Sequence, residues 1–321
     1  MEQIIGVDLG ATNLRTALSD GNRILSFRST PTERSKGAQG ISNQIVQMID
    51  ELTREQPRPI EVKAIGIASI GPLDLATGTI VNTPNLPIKN IPITEPVYQA
   101  FGVPVFLVND CNAAVLAEAT YGDGFGKENV VYVTMSTGLG GGAIVDGHLL
   151  IGKDGNAAEV GHTTVDSQGT MQCSCGCRGH WEAYCSGENI PRYARHLIST
   201  LKPGEVSSSL LLANCEGDAA KLTAKRLFDA AEEGDRVSLD IVGEIGRLNA
   251  IGFANIVSIL DPELVTIGGP VALNHPRLVL DPVISRIKQH TINRVPDIHV
   301  TKLGDNIVIL GAIAYAISKT S

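Results

Sequence analysis

Two stretches decide the fold: Gln3-Ile-Ile-Gly-Val-Asp-Leu-Gly-Ala-Thr-Asn13 and Asn129-Val-Val-Tyr-Val-Thr-Met-Ser-Thr-Gly-Leu-Gly-Gly-Gly142. Each is an apolar run of strand length that ends in a Gly-bearing turn and resumes as a second strand. The same order of signals in two distant places predicts two similar α/β halves with a cleft between them.

Working outward, residues 14–19 and 23–30 read as strands around the turn Asp20–Gly21–Asn22. Ile41, Ile45, Val46, Ile49 and Leu52 have helical spacing within 38–53, and residues 62–69 return to a strand. A Pro-, Asn- and Gly-rich excursion fills 71–92, and strand 104–108 delivers Asn109–Asp110 at its carboxyl end. A helix is expected over 112–121, strands at 142–151 around Asp146–Gly147, and mostly helix over 188–258. Strand 263–267 enters Gly268–Gly269, and a helix near 276–290, a strand near 297–302 and a helix at 305–318 close the chain. The predicted domains are 1–111 plus 304–321, with the last helix packing back on the first half, and 112–303.

The chain has 321 residues, 43% hydrophobic and 19% charged, which suits two domains with sizeable cores and argues against disorder. Its formal net charge of −8, with no basic stripe, excludes nucleic acid as an expected partner. Met1–Val7 lacks the charged and apolar regions of a secretion signal, and no apolar stretch is long enough to span a bilayer, so a cytoplasmic protein is expected with no membrane partner. Four of the six cysteines crowd into 173–185, a spacing that fits a metal in a reducing compartment better than a disulfide framework.

Five motifs carry chemistry, and each has a plainer reading beside it. Asp8 at a strand end can hold Mg²⁺, Gly10 lets backbone approach a phosphate, and Thr12 adds a hydroxyl, although Asp and Gly also fill ordinary turns. The turn Ser136–Gly142 offers several N–H groups to an anion. It is neither a Walker A loop nor a dinucleotide fingerprint, and the alternative is a glycine-rich hairpin. Gly268–Gly269–Pro270 lets a flat ring lie against backbone, or is a strand-to-helix turn with Pro at the helix start. Asp110 can accept a hydroxyl proton, or Asn109–Asp110 is a helix N-cap. The stretch Glu159–Glu182 holds His162, Cys173, Cys175, Cys177 and His180, more than the four N/S ligands a structural Zn²⁺ needs; the alternative is a loop of free thiols.

These motifs, in this order and over nearly the whole chain, resemble the ROK family of sugar kinases and sugar-responsive repressors. Asp8-Leu-Gly-Ala-Thr12 is similar to the family's first phosphate motif, and Asn109–Asp110 before Asn112–Ala113–Ala114 to its catalytic-aspartate segment. Ser136–Gly142, continued through Gly152 to Glu159–Val160–Gly161–His162, follows the family signature. Cys173-Ser-Cys175-Gly176 and Gly179-His180-Trp181-Glu182 resemble its zinc loop, and Gly268–Gly269 its late glycines.

The resemblance implies a two-lobed actin-like ATPase (ribonuclease H-like) fold of the α/β class with a central cleft. It further implies ATP-dependent phosphorylation of a hexose or N-acyl hexosamine, glucose or N-acetylmannosamine foremost and the 6-hydroxyl the acceptor. Asp110 would be the general base. Asp8, Gly10, Thr12, Thr137, Gly138, Gly268 and Gly269 would bind ATP and Mg²⁺. Gly71, Asn85, Asn109, Asp110, Glu159, His162 and Glu182 would bind the sugar. His162 would also ligate zinc through its other ring nitrogen. A homodimer or homotetramer is implied. The chain departs from the family where the last zinc cysteine would be: position 180 is His, and Cys177 stands three residues earlier, so either can be the fourth ligand. The family's repressors carry an N-terminal helix-turn-helix; with the phosphate motif starting at residue 8, a kinase is the expected form, and a non-catalytic sugar sensor is the alternative.

Overall fold

The computed structural model of the chain describes residues 3–83, 86–202, 204, 206 and 209–320. Two compact units are formed, the first from Met1–Glu128, Gly142–Ala158 and Leu303–Ser321, the second from Asn129–Gly141 and Glu159–Lys302.

In the first unit, β1 (Gln3–Leu9), β2 (Asn13–Ser19) and β3 (Ile24–Pro31) form an antiparallel meander, followed by helix α1 (Gly37–Arg54) and β4 (Val62–Ser69). The excursion at 71–92 contains a separate antiparallel sheet of β5 (Leu73–Asp74), β6 (Thr79–Thr83) and β7 (Leu86–Pro92). After α2 (Thr94–Phe101), β8 (Val105–Asn109) runs directly into α3 (Asp110–Tyr121). The main sheet has the order β3-β2-β1-β4-β8, with β1, β4 and β8 parallel.

Strand alternation sorts this sheet's side chains to two faces. Ile5, Val7 and Leu9 of β1, with Leu14 and Leu18 of β2, pack in one buried cluster with the α1 stripe Ile41, Ile45, Met48, Ile49 and Leu52. Each fully buried aliphatic of this kind contributes roughly 1.5–3 kcal/mol. On the other face Ile4, Ala17 and Ala64 meet Ile309, Ile313 and Ala316 of the C-terminal helix Ile307–Thr320. Ala113 of α3 joins Ala312 and Tyr315 of that helix in a third cluster. The contact between α3 and the C-terminal helix holds 112–121 in the first unit, which therefore reaches past the boundary expected near 111.

The second sheet has the order β11-β10-β9-β12-β13, from β9 (Val130–Met135), β10 (Leu139–Val145), β11 (His148–Leu149), β12 (Leu264–Gly268) and β13 (Asp297–Val300). The unit boundary falls inside β10. Numbered in chain order within each sheet, both five-stranded sheets run 3-2-1-4-5. The repeated signals in the sequence thus mark a repeated topology. The helical stretch over 188–258 is several helices, interrupted where Ser209, Thr223 and Asp235 cap new starts with their side chains. Among the described residues no helix is long and apolar enough to cross a membrane.

Candidate functional site

In the first unit, the candidate groups gather at the carboxyl ends of parallel strands, where open α/β sheets keep their ligands. Asp8 lies near the end of β1, in register with Arg15 across the hairpin. Its carboxylate is 3.6 Å from Arg15 Nη1, and its side chain is 14% exposed. Burial pushes its carboxyl up to about 7; Arg15 opposes that rise and the carboxylate of Asp110 adds to it. A buried acid held this high is short of positive charge, which is the environment a divalent cation relieves. Gly10 closes the turn after β1, its N–H donating to Asn13 O at 3.0 Å and its carbonyl accepting from Thr32 Oγ1 at 2.8 Å. Thr12 presents an exposed side chain on the same turn.

At the end of β8 the cap falls on Asn109 and leaves Asp110 as the first residue of α3. Asn109 is the N-cap: its Oδ1 accepts from Cys111 N at 2.9 Å and Asn112 N at 3.2 Å. Asp110 begins α3, one carboxylate oxygen accepting from Cys111 N at 2.8 Å. Gly71 lies beside the cap, where an added Cβ would be 3.5 Å from Asn109 Nδ2. Gly142 supports the same corner. A Cβ there would stand 2.2 Å from Cys111 O, so β10 approaches the first turn of α3 closer than any side chain allows. Asn85 lies outside the described residues.

In the second unit, Glu159, His162 and Glu182 come together around the cysteine loop. A short 3₁₀ turn, Val160–His162, places His162 with Nδ1 3.7 Å from Cys173 Sγ and Nε2 3.8 Å from Glu159 Oε2. Glu182 opens the four-residue helix α4 (Glu182–Cys185). It accepts from Leu139 N at 2.9 Å through Oε2, and from Ser174 Oγ at 3.1 Å and Cys173 Sγ at 3.5 Å through Oε1. Partial burial raises the Glu159 carboxyl, His162 opposing and Glu182 reinforcing the shift.

The ligand atoms of His162, Cys173, Cys175 and His180 lie within 4.8 Å of one another, with His180 Nδ1 3.3 Å from Cys175 Sγ. Two thiols and two imidazoles are a donor set that suits Zn²⁺. Burial pushes the Cys173 thiol up to about 11, and a bound cation would draw off that proton. Cys177 is outside this group: it closes the loop through its carbonyl, which accepts from Cys173 N at 2.8 Å, and its side chain is exposed. An Asx turn at Asp166, whose carboxylate also accepts from Tyr184 Oη at 2.5 Å, and Arg178 Nε donating to Gly169 O at 2.8 Å shape the loop further.

Also in the second unit, Thr137 and Pro270 line one cavity of about 700 Å³ together with Gly187, Glu188, Phe228 and His275. Gly187 N donates to Ser136 O at 2.7 Å, tying the glycine-rich turn to this wall. His275 stacks on Phe228 with centroids 4.9 Å apart and planes 11° from parallel, and its Nδ1 is 2.8 Å from Glu232 Oε1. Gly138 lies against Glu182, where a Cβ would be 2.8 Å from Oε2. Gly268 and Gly269 are also demanded by the sheet itself: side chains would stand 2.3 Å from Tyr132 Oη and 2.5 Å from Met135 O, and Gly269 has φ +87°. Phe228, Glu188 and His275 escaped the sequence reading because no motif surrounds them. The only signal available was that Pro270–Asn274, the short helix before His275, follows the glycines.

The ROK family model matches residues 4–319. The chain is 36% identical to the glucokinase of Pyrobaculum calidifontis over 98% of this chain and 95% of that one. The ROK hexokinase from Thermus thermophilus superposes with a TM-score of 0.84 at 31% identity, covering 99% of this chain and 98% of that one. A ROK family glucokinase from Streptomyces griseus, solved with glucose and AMPPNP, superposes with a TM-score of 0.80 at 32% identity over 98% and 99% of the two chains. The α/β architecture is that of the two-lobed actin-like ATPase fold.

Proposed function

This chain belongs to the ROK family and is an ATP-dependent sugar kinase, and we propose that its acceptor is glucose, phosphorylated at the 6-hydroxyl with Asp110 as general base. The observation that carries the proposal is the division of labour at the end of β8: Asn109 caps the helix, and Asp110 stands on a rigid strand-to-helix junction near a second carboxylate, Asp8. Phosphoryl transfer asks little covalent chemistry of a protein; positioning and charge do most of the work. In this reading Asp110 orients the acceptor hydroxyl and takes its proton. Glu159, His162, Glu182, Asn109 and the backbone at Gly71 hold the other hydroxyls, and Asn85 belongs to the same proposed set. Gly10, Thr12, Thr137 and Gly138 contact the phosphates, and the adenosine occupies the cavity near Gly268–Gly269, against Phe228 and His275.

Asp8 is the residue that would hold Mg²⁺, which when bound neutralises the phosphate oxygens. His162 and His180 through Nδ1, with Cys173 and Cys175, would hold zinc, which when bound cross-links the loop carrying His162 to the start of α4. Glucose is favoured over N-acetylmannosamine by the glucokinases among the relatives. A homodimer or homotetramer is part of the proposal, and sedimentation would decide between them. The test of acceptor and activity is ADP release from MgATP over a panel of hexoses and N-acyl hexosamines. Release that depends on glucose supports the proposal. Dependence on another sugar replaces the acceptor. No sugar-dependent release from folded, zinc-loaded protein would point to the sensor reading or to a different phosphoryl donor.

A further inference from the structure

Glu182 and His180 flank Trp181, the one tryptophan of the chain. Trp181 is fully buried, and its Nε1 donates to Asn249 Oδ1 at 2.8 Å in the middle of the long helix Arg236–Leu260. The indole also meets Phe253 edge-on, with centroids 5.0 Å apart and planes at 77°. It lies flat on Gly252, where a Cβ would be 2.3 Å from Cδ2. One turn earlier, the buried Cys185 Sγ is 3.7 Å from Ile245 O. Every one of these contacts joins α4 to the same face of the long helix.

α4 has four residues, and a helix that short has no stability of its own. Its rotation about its axis must be imposed from outside, and apolar packing alone tolerates some slippage. A buried hydrogen bond does not, because an indole N–H left without a partner costs about 1–3 kcal/mol. We infer that Asn249 is a positioning residue for the sugar-facing groups: by accepting the Trp181 N–H it fixes the rotation of α4 and so the aim of Glu182 and His180. This inference rests on the reading that Glu182 contacts the sugar. The far wall of the cavity, Phe228, Pro270 and His275, comes from segments that this bond does not touch, so the larger effect is expected on the sugar side.

The test is steady-state kinetics of Asn249→Ala, Trp181→Phe, the double variant and Glu182→Gln, each checked for a cooperative thermal transition. Trp181→Phe keeps an aromatic ring in the pocket while removing the N–H and part of the indole's volume, so, with its thermal transition as the control for the cavity, it serves if Asn249→Ala does not fold. The expected result is a KM for the sugar raised roughly tenfold in both single variants, a KM for ATP within about twofold of wild type, and no further loss in the double variant, since the two residues act through one bond. In Asn249→Ala the Trp181 emission should shift to longer wavelength and respond more weakly to added sugar. Sugar and ATP KM values rising together, or an unchanged sugar KM in folded variants, would overturn the inference. If Glu182→Gln itself leaves the sugar KM unchanged, the reading of Glu182 fails and takes this inference with it. If Glu182→Gln raises that KM and the Asn249 and Trp181 variants do not, the inference alone fails.

Discussion

Asp8 and Arg15 stand opposite each other in the β1–β2 register, guanidinium and carboxylate 3.6 Å apart, yet the carboxyl is held at about 7. Burial and the charge of Asp110 outweigh a single partly exposed arginine. The consequence is a carboxyl that titrates near neutral pH, as the proposed Mg²⁺-holding role would use.

A metal-holding Asp8 works in its ionised form, so kcat/KM should fall as pH drops through about 7. Arg15→Gln removes the one group that lowers this carboxyl, so the acid limb of the pH profile should move to higher pH. A profile that does not move would remove Asp8 from the catalytic titration.

The same shift has a stability consequence of definite sign. The folded-state value lies above the ordinary 3.8, so the folded protein holds the extra proton between 3.8 and about 7 and loses stability as pH rises across that window. Without Mg²⁺, Asp8→Asn should therefore be more stable than wild type at pH 8, by on the order of 2–4 kcal/mol, and nearly equal to it below pH 4. Denaturant midpoints at the two pH values measure this directly.

Zinc content separates the two candidate fourth ligands. Cys177→Ser should retain one zinc per chain by elemental analysis, whereas Cys173→Ser and His180→Ala should lose it. Chelation should raise the KM for the sugar more than the KM for ATP, since the loop carries His162 and adjoins Glu182. Zinc lost from Cys177→Ser would exchange the two assignments.

Asn109→Ala should cost about 1 kcal/mol of stability through the lost cap and lower kcat by displacing Asp110. Gly142→Ala should be far worse, since its Cβ would lie 2.2 Å from Cys111 O in backbone that cannot yield locally. Thermal midpoints of the two variants rank these costs.

Much of the scaffold was legible because its signals are local. The apolar strands entering Asp8 and Ser136 and the helical stripe at Ile41–Leu52 each announce themselves within a few residues. The small sheet at β5–β7 did not, because β5 has two residues and β7 carries Pro87 and Pro92, which read as loop. α2, with one buried residue, Val97, left too faint a stripe to see. Cys177 and His180 could not be ranked by spacing, since thiolate and imidazole are equally good ligands; in space the clustered donor atoms are those of His162, Cys173, Cys175 and His180. Phe228 and His275, which line the cavity, and Asn249, which bonds Trp181, were invisible for a different reason: they lie far along the chain from the motifs, and only the packing brings them to these partners.

Everything proposed for the reaction turns on Asp110 taking the proton from the acceptor hydroxyl. Glucose-dependent ADP release by Asp110→Asn, beside a glucose-binding titration of the same protein, tests that step. A general base at this position requires kcat lowered by roughly 10²–10⁴, with glucose affinity changed by no more than a few fold. Turnover near the wild-type rate in a variant that still binds glucose would rule Asp110 out as the base and leave the proton with another group.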